Sequence, residues 1–538
     1  MLNSLDSIPD SVAALICMAG ILTSLACYQR PPADGPADMV LYNSQLRVLD
    51  SNASTTNSVA LVDGNILATG SRSELEEWIG PQTRLVDLQG GTVIPSLKDH
   101  HLHLLDIGFS VLNRKKSGAL FLDLTGATSP EEVAKRVADR ASTVAPGTWI
   151  LGKGWNQGAW GTGTLPDHHI LDRAAPDHPV FLARGDGHCG WVNQNALTLA
   201  GIAAGSPDPA GGQALRKADG SPTGVLLERA NEPVLALIPE PDDATVMEAF
   251  REGAQAVAAQ GITDIYDAGF LAFPGVVGMN IRMERYLDLL KQADRKAPLP
   301  ININLMIPSP SNLADRLIQE PAARQISDRI KITHIKLFTD GALGSRGAAL
   351  REPYSDDPST TGVPRMSVDE LEADVHRTLL AGLDVATHAI GDRAIGETLE
   401  VYEGLLTKMP DLDPRRLRID HFSYGTPEDI QKAAELGILL VVQPGFIYPD
   451  DEGFTMEDHR LGPERKAGAY AFGTLARLGG LLVGSSDDFT IPPHPLWNFY
   501  AAVTRMNPNG KPEGGWHPVE KLERNEALEL FTRFQPPG

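Results

Sequence analysis

The run Asp99-His100-His101-Leu102-His103 follows closely on the apolar stretch GTVIPSL at residues 91–97. On an extended segment, residues i and i+2 point the same way, so His101 and His103 present two imidazoles on one side, a grip for one divalent ion. A His-x-His pair alone is common on ordinary surfaces; its context gives it meaning. His388 lies in ATHAIGDRA, His421 in RIDHFS and Asp487 in VGSSDD, each at the end of a short apolar run. Four imidazoles and a carboxylate suit zinc or a similar borderline divalent metal, one ion or two, with a coordination position left for water. Such an ion lowers the pKa of its water toward neutrality and polarises a carbonyl. A carboxylate beside it can take the proton from the attacking water and return it to the leaving group.

Elements must bring these residues together. From about residue 95 short apolar strands alternate with helices, the signature of a parallel sheet or barrel. The strand-like runs are 261–269, 332–341, 384–392, 417–421, 438–444 and 481–487. Between them, Ser367 and Glu370 form a capping box, and Thr426, Pro427, Glu428 and Asp429 open another helix. Asp267, Lys336, His388, His421 and Asp487 sit at the C-terminal ends of their strands. In a (β/α)8 barrel the active site lies at that end, so these groups should converge there. The expected organisation is an apolar segment and linker over 1–37, a small flanking β-domain over 38–94, and a TIM-like barrel over 95–538 with an insertion around 112–250. The β-domain is read from runs at 39–50, 58–70 and 83–94, broken by Asp-Gly and Gly-Gly, which suggest hairpins.

Bulk properties narrow the partners. The 538 residues carry a formal charge of -22 with no basic stripe, which argues against a nucleic-acid partner. Of three cysteines, Cys17 and Cys27 lie in the N-terminal apolar stretch, leaving Cys189 alone in the body, so no disulfide framework is expected. Residues 11–29 carry no charge, long enough for a signal-peptide core and just long enough for a marginal membrane span. The preceding residues, with Asp6 and Asp10 and no Lys or Arg, do not fit a typical signal peptide, and Arg30 follows the run. The expectation is membrane anchoring or secretory-pathway targeting through residues 11–29, the alternative a cytoplasmic protein with a packed or unstructured extension.

With these residues in place the sequence resembles the amidohydrolase superfamily, and within it the subgroup of N-substituted formamide deformylase-like enzymes (amidohydrolase family 3). The resemblance rests on KGWNQGAW (153–160), RGDGHCGWVNQNAL (184–197), PTGVLLERA (222–230), IKLFTDGALGSRGAAL (335–350), THAIGDRA (387–394) and LGPERKAGAYAF (461–472), in that order, and covers about residues 38–530. It implies a (β/α)8 barrel with a small β-domain built from flanking chain. It implies that His101 and His103 hold a first metal and His388 and His421 a second or shared one. Lys336 would match the lysine that bridges two ions when carboxylated, and Asp487 the metal-bound acid/base. Asp186 and His188 would line the substrate pocket, as would Trp155 and Arg346.

Three departures stand out. Lys98 occupies a position where a buried strand residue is expected, so it must snorkel, pair or distort the strand. Asp488 and Phe489 replace the usual small residue and proline, and the chain stops where the family continues into strands that complete the β-domain. The β-domain is therefore expected to be incomplete, with exposed sheet edges.

The leading functional expectation is hydrolysis of a non-peptide C–N bond in a small-molecule amide, through metal-activated water, with Asp487 shuttling the proton. The alternatives are decarboxylation, hydration or isomerisation on the same scaffold, and a degenerate, non-catalytic homologue. The sequence leaves the oligomeric state open.

Overall fold

The computed structural model describes residues 35–46, 56–160, 165–269, 282–450, 452–487 and 494–532. Eight strands form one parallel sheet in chain order: β1 Leu97–Leu102, β2 Ile262–Asp267, β3 Asn302–Pro308, β4 Ile330–Phe338, β5 Asp384–Ala389, β6 Leu417–His421, β7 Leu439–Val442 and β8 Leu481–Gly484. Each pairs in parallel with the next. The seam between β8 and β1 is bridged just past the end of β8. There the Asp487 amide donates to the His101 carbonyl at 2.8 Å, and Ser486 donates through its amide and hydroxyl to Asp99. The result is a nearly closed (β/α)8 barrel, as the strand–helix alternation implied. Ser367 and Glu370 form the expected capping box, and Thr426 caps the other helix as expected, completing a second box with Asp429.

Strands buried on both faces normally read as apolar runs. β1 (LKDHHL) breaks that rule, yet all six of its residues are buried. It survives because its polar groups find partners, without which each would cost several kcal/mol. Lys98 pairs with Asp264 at 3.9 Å, Asp99 accepts from the His101 amide at 3.1 Å, and His100 stacks on Tyr266 at 5.0 Å while its carbonyl accepts from Arg418 at 2.8 Å. Lys98 therefore pairs rather than snorkels.

Two further units flank the barrel. A four-stranded sheet holds Asn65–Gly70, Ser58–Val62, Met39–Tyr42 and Arg84–Asp87 in that order. Its hairpin turns at Asp63-Gly64, both at positive φ (48° and 74°), the backbone a two-residue primed turn needs. Gly90-Gly91 closes no hairpin: Arg84–Asp87 pairs with Met39–Tyr42, and Thr92–Val93 with Gln45–Leu46, both in parallel. Between β1 and β2 lies a six-stranded sheet, ordered Gly212–Arg216, Pro222–Glu228, Cys189–Val192, Val180–Arg184, Ile150–Trp155 and Leu122–Asp123. Cys189 is buried and unbridged.

The expected membrane or signal segment, and the localisation drawn from it, require correction. Among the described residues no helix is long and apolar enough to cross a membrane. A span needs about 20 apolar residues, whereas the longest described helix, Asp392–Lys408, has 17 and is studded with charges. The run 11–29 itself lies outside the described residues.

Candidate metal centre and substrate pocket

His101 sits inside β1, and His103 one residue past its end, where it opens the helix Leu104–Lys115. His388 is on β5, His421 is the last residue of β6, and Asp487 lies three residues beyond β8. His421 (φ 80°) and Asp487 (φ 50°) adopt left-handed backbone, which costs a non-glycine residue about 1 kcal/mol or more and recurs at functional sites.

The side chains converge. His101 Nε2 and His103 Nε2 lie 3.4 and 3.3 Å from Asp487 Oδ1, and the donor atoms of the three residues all fall within 4.8 Å of one another. His421 Nδ1 is 3.7 Å from Asp487 Oδ2, and its ring centroid lies 5.0 Å from that of His101 and 4.5 Å from that of His388. All five border one cavity with Asp186, His188 and Phe338.

The outer ring nitrogens are committed elsewhere. His101 Nδ1 meets Asp420 Oδ2 at 3.0 Å, and His103 Nδ1 meets the Gly269 carbonyl at 2.8 Å. Both partners only accept, so a proton sits on each Nδ1, and Nε2 is the nitrogen that faces Asp487 and would give its lone pair to a bound ion. This is the outer-shell pattern that orients metal-binding imidazoles. His421 Nδ1 lies 3.0 Å from Gln443 Oε1, which Ser485 steadies through the Gln443 amide at 2.8 Å. His388 Nε2 is buried without a hydrogen bond, 3.5 Å from Asp340 Oδ1. A borderline divalent cation fits this donor set and would satisfy that nitrogen.

Electrostatics agree. Burial opposes charge on His103, yet the hydrogen bond and charge of Asp487 raise it to about 9. Burial likewise opposes charge on Asp487, but His101 and then the hydrogen bond from His103 hold its carboxyl far below the usual range. Burial pushes His421 down to about 3 despite Asp487 nearby. A cation would replace the His103 proton as the partner of that carboxylate.

The remaining expected residues divide. Lys336 is buried at the end of β4 and donates Nζ to Asp420 Oδ2, the oxygen that also holds His101. Asp186 and His188 border the cavity, and Asp186 is gripped by Arg184. Trp155 does not: it packs with Trp160 and Trp191, and its indole N–H donates to the Leu182 carbonyl at 2.8 Å. Arg346 is paired with Asp356 at 3.0 Å and is absent from the cavity wall. Asp267 turns away to accept from Tyr286 and the Leu104 amide.

Sequence reasoning passed over Asp420, Glu228, Gln443 and Asp340. Asp420 had one signal, its place beside His421 in RIDH. Asp340 accepts from the Ala349, Ile390 and Gly391 amides and so ties the loop after β4 to the one after β5. A second grouping, Asp167, His168 and His169, also brings donor atoms within 4.8 Å. The Lys217 ammonium already stands there, 2.7 Å from Asp167 and 3.2 Å from His169.

Barrel, strand-end histidines and closing aspartate together define a hydrolase scaffold built around a metal. The family model described as "Amidohydrolase family" matches residues 84–535, and the chain belongs to that family, a hydrolase by class. It is similar to Protein LONG AFTER FAR-RED 3 of Arabidopsis thaliana, 32% identical over 521 residues that span 96% of this chain and 86% of that protein. N-substituted formamide deformylase of Arthrobacter pascens is 26% identical over 520 residues, 92% of this chain and 88% of the enzyme, in line with the resemblance read from the motifs. An uncharacterized metal-dependent hydrolase from Pyrococcus horikoshii OT3 has a solved structure that superposes with a TM-score of 0.67 at 27% identity, covering 92% of this chain and 91% of that one.

Proposed function

We propose that the protein hydrolyses a non-peptide C–N bond in a small-molecule amide. The observation carrying this reading is the convergence of His101, His103 and Asp487 within 4.8 Å at the C-terminal end of the barrel, with His388 and His421 beside them. These five residues would hold the ion. A divalent metal bound there would supply Lewis-acid activation of water and of the scissile carbonyl.

The chain's own groups supply the rest. Asp487 takes the proton of the attacking water and delivers it to the departing nitrogen, a transfer worth about 10²–10⁴ in rate. Asp420 and the Gly269 carbonyl hold His101 and His103 in the tautomer that offers Nε2. Asp186, His188 and Phe338 form the wall against which the substrate is oriented. Lys336 fixes Asp420 from behind.

The test is zinc-supplemented protein assayed for released amine and acid against linear N-substituted formamides, N-acyl amines and cyclic amides. Chelator-sensitive release from at least one class is the expected result. Bound metal without release from any of them would overturn the C–N reading. Less than about half an equivalent of bound metal would overturn the metal-dependent reading altogether.

A further inference from the structure

His188 borders the cavity with its ring centroid 5.3 Å from that of His388, yet it is outside the tight donor group of His101, His103 and Asp487. Behind it lies Glu228, at the end of the strand Pro222–Glu228 in the six-stranded sheet, a carboxylate that no step above employs. Glu228 is fully buried, and its Oε1 and Oε2 lie 3.1 and 3.0 Å from His188 Nδ1. A carboxylate only accepts, so the His188 proton must sit on Nδ1, and Nε2 is the ring edge turned from Glu228.

The surroundings are shaped around this carboxylate. Glu228 has φ 50° and ψ −129°, a backbone region foreign to L side chains that costs about 1–3 kcal/mol and persists only where the structure enforces it. Two glycines of the loop after β4 make room for it. A Cβ on Gly341 would stand 1.8 Å from Glu228 Oε1, and one on Gly347 2.6 Å away. Arg365 lies 3.8 Å from Oε2, and its guanidinium sits 4.6 Å over the ring of Phe338, itself part of the cavity wall. Backbone, glycines and arginine converge on one carboxylate, and the side chain it grips faces the substrate space.

We infer that Glu228 is a positioning residue that fixes the His188 ring, with its proton on Nδ1, so that the Nε2 edge meets the substrate rather than the metal. The flanking sheet would thereby supply part of the substrate-binding wall from outside the barrel. The consequence for turnover rests on the proposed amide hydrolysis; the state of the imidazole does not.

Three readouts test it on the full-length, zinc-loaded protein. In a double-mutant cycle, Glu228→Gln should lower kcat by about tenfold or more with His188 present and by less than about twofold in a His188→Ala background. Gly341→Ala, which leaves Glu228 chemically intact but displaces its carboxylate, should reproduce the loss; if that variant does not fold, the cycle alone decides. Zinc affinity, by chelator competition, should stay within about twofold in Glu228→Gln, whereas a carboxylate behind a metal-bound histidine would cost about 10–100-fold. Imidazole 15N spectra, assigned with His188→Ala, should show the Nδ1–H form and shift in Glu228→Gln. An equal kcat loss in both backgrounds, a weakened zinc site or an unaltered His188 signal would each overturn the inference. If the wild type hydrolyses no amide, the functional reading fails, while the zinc and 15N readouts still decide the role of Glu228.

Discussion

Asp420→Asn probes the scaffold of the metal centre most severely. One oxygen of Asp420 accepts from Lys336 and meets His101 Nδ1 at 3.0 Å; the other accepts from Arg418 Nε at 2.8 Å. The carboxylate and both cations are essentially without solvent exposure. Burial alone would raise the Asp420 carboxyl, but Arg418 and then Lys336 override it and hold it well below the usual range. Its stabilisation is thus present above the ordinary carboxylate pKa of about 4 and lost as pH falls below it. The amide keeps the shape, removes the charge, and turns an N–H donor toward groups that are themselves donors. Breaking a buried pair by removing one partner costs about 3–5 kcal/mol. For a chain of this size that corresponds to a fall in melting temperature of about 3–4 °C. His101 would also lose the acceptor that sets its tautomer, weakening metal binding by about 10–100-fold. Thermal melts and chelator competition for zinc measure the two effects. A variant melting within about 1 °C of wild type, with equal zinc affinity, would refute the claim that this carboxylate organises the site.

Asp487→Asn should retain about the wild-type zinc stoichiometry, because the imidazoles remain, and lose about 10²-fold or more in turnover; retained turnover would remove Asp487 from its acid/base role. Because the His103 imidazole is raised to about 9 by Asp487 against the opposing effect of burial, a metal must displace its proton. Apparent zinc affinity should therefore climb with pH and level off above about 9, and a flat profile from pH 6 to 9 would contradict this. The same raised value stabilises the metal-free protein fully below the unfolded value of 6.5, a contribution lost as pH rises through about 9, which melts of chelated protein would follow. Burial lowers the Lys98 ammonium pKa against the pull of Asp264, so charging it disfavours the folded state at neutral pH. Asp264 also accepts from Thr263 and Asn302 and its contact with Lys98 is long, at 3.9 Å, so Lys98→Met should cost about 1 kcal/mol or less, short of the about 3–5 kcal/mol of a tight buried pair broken outright; a loss above about 3 kcal/mol would show the ion pair to be needed.

The barrel was readable because parallel strands buried on both faces leave apolar runs of fixed length, and because a barrel concentrates chemistry at one end of them. His101, His103, His388, His421 and Asp487 could be picked out on that ground and lie together in the structure. The groups behind them were hidden. Asp420 meets His101 across 319 positions and Lys336 across 84, and strand periodicity does not reveal such contacts. Glu228 belongs to a stretch rich in Gly and Pro, which blur the strand pattern, and its value lies in an unusual backbone that only a fold can enforce. Trp155 and Arg346 were chosen by resemblance, and local packing claims both: an aromatic cluster for one, Asp356 for the other.

The proposed function stands or falls on one cation binding where His101, His103 and Asp487 meet. Anomalous diffraction at the zinc edge, on crystals of zinc-supplemented protein, tests it directly. A peak is expected about 2.0–2.2 Å from His101 Nε2, His103 Nε2 and an Asp487 oxygen. No peak among these side chains, or zinc found only at Asp167, His168 and His169, would contradict it.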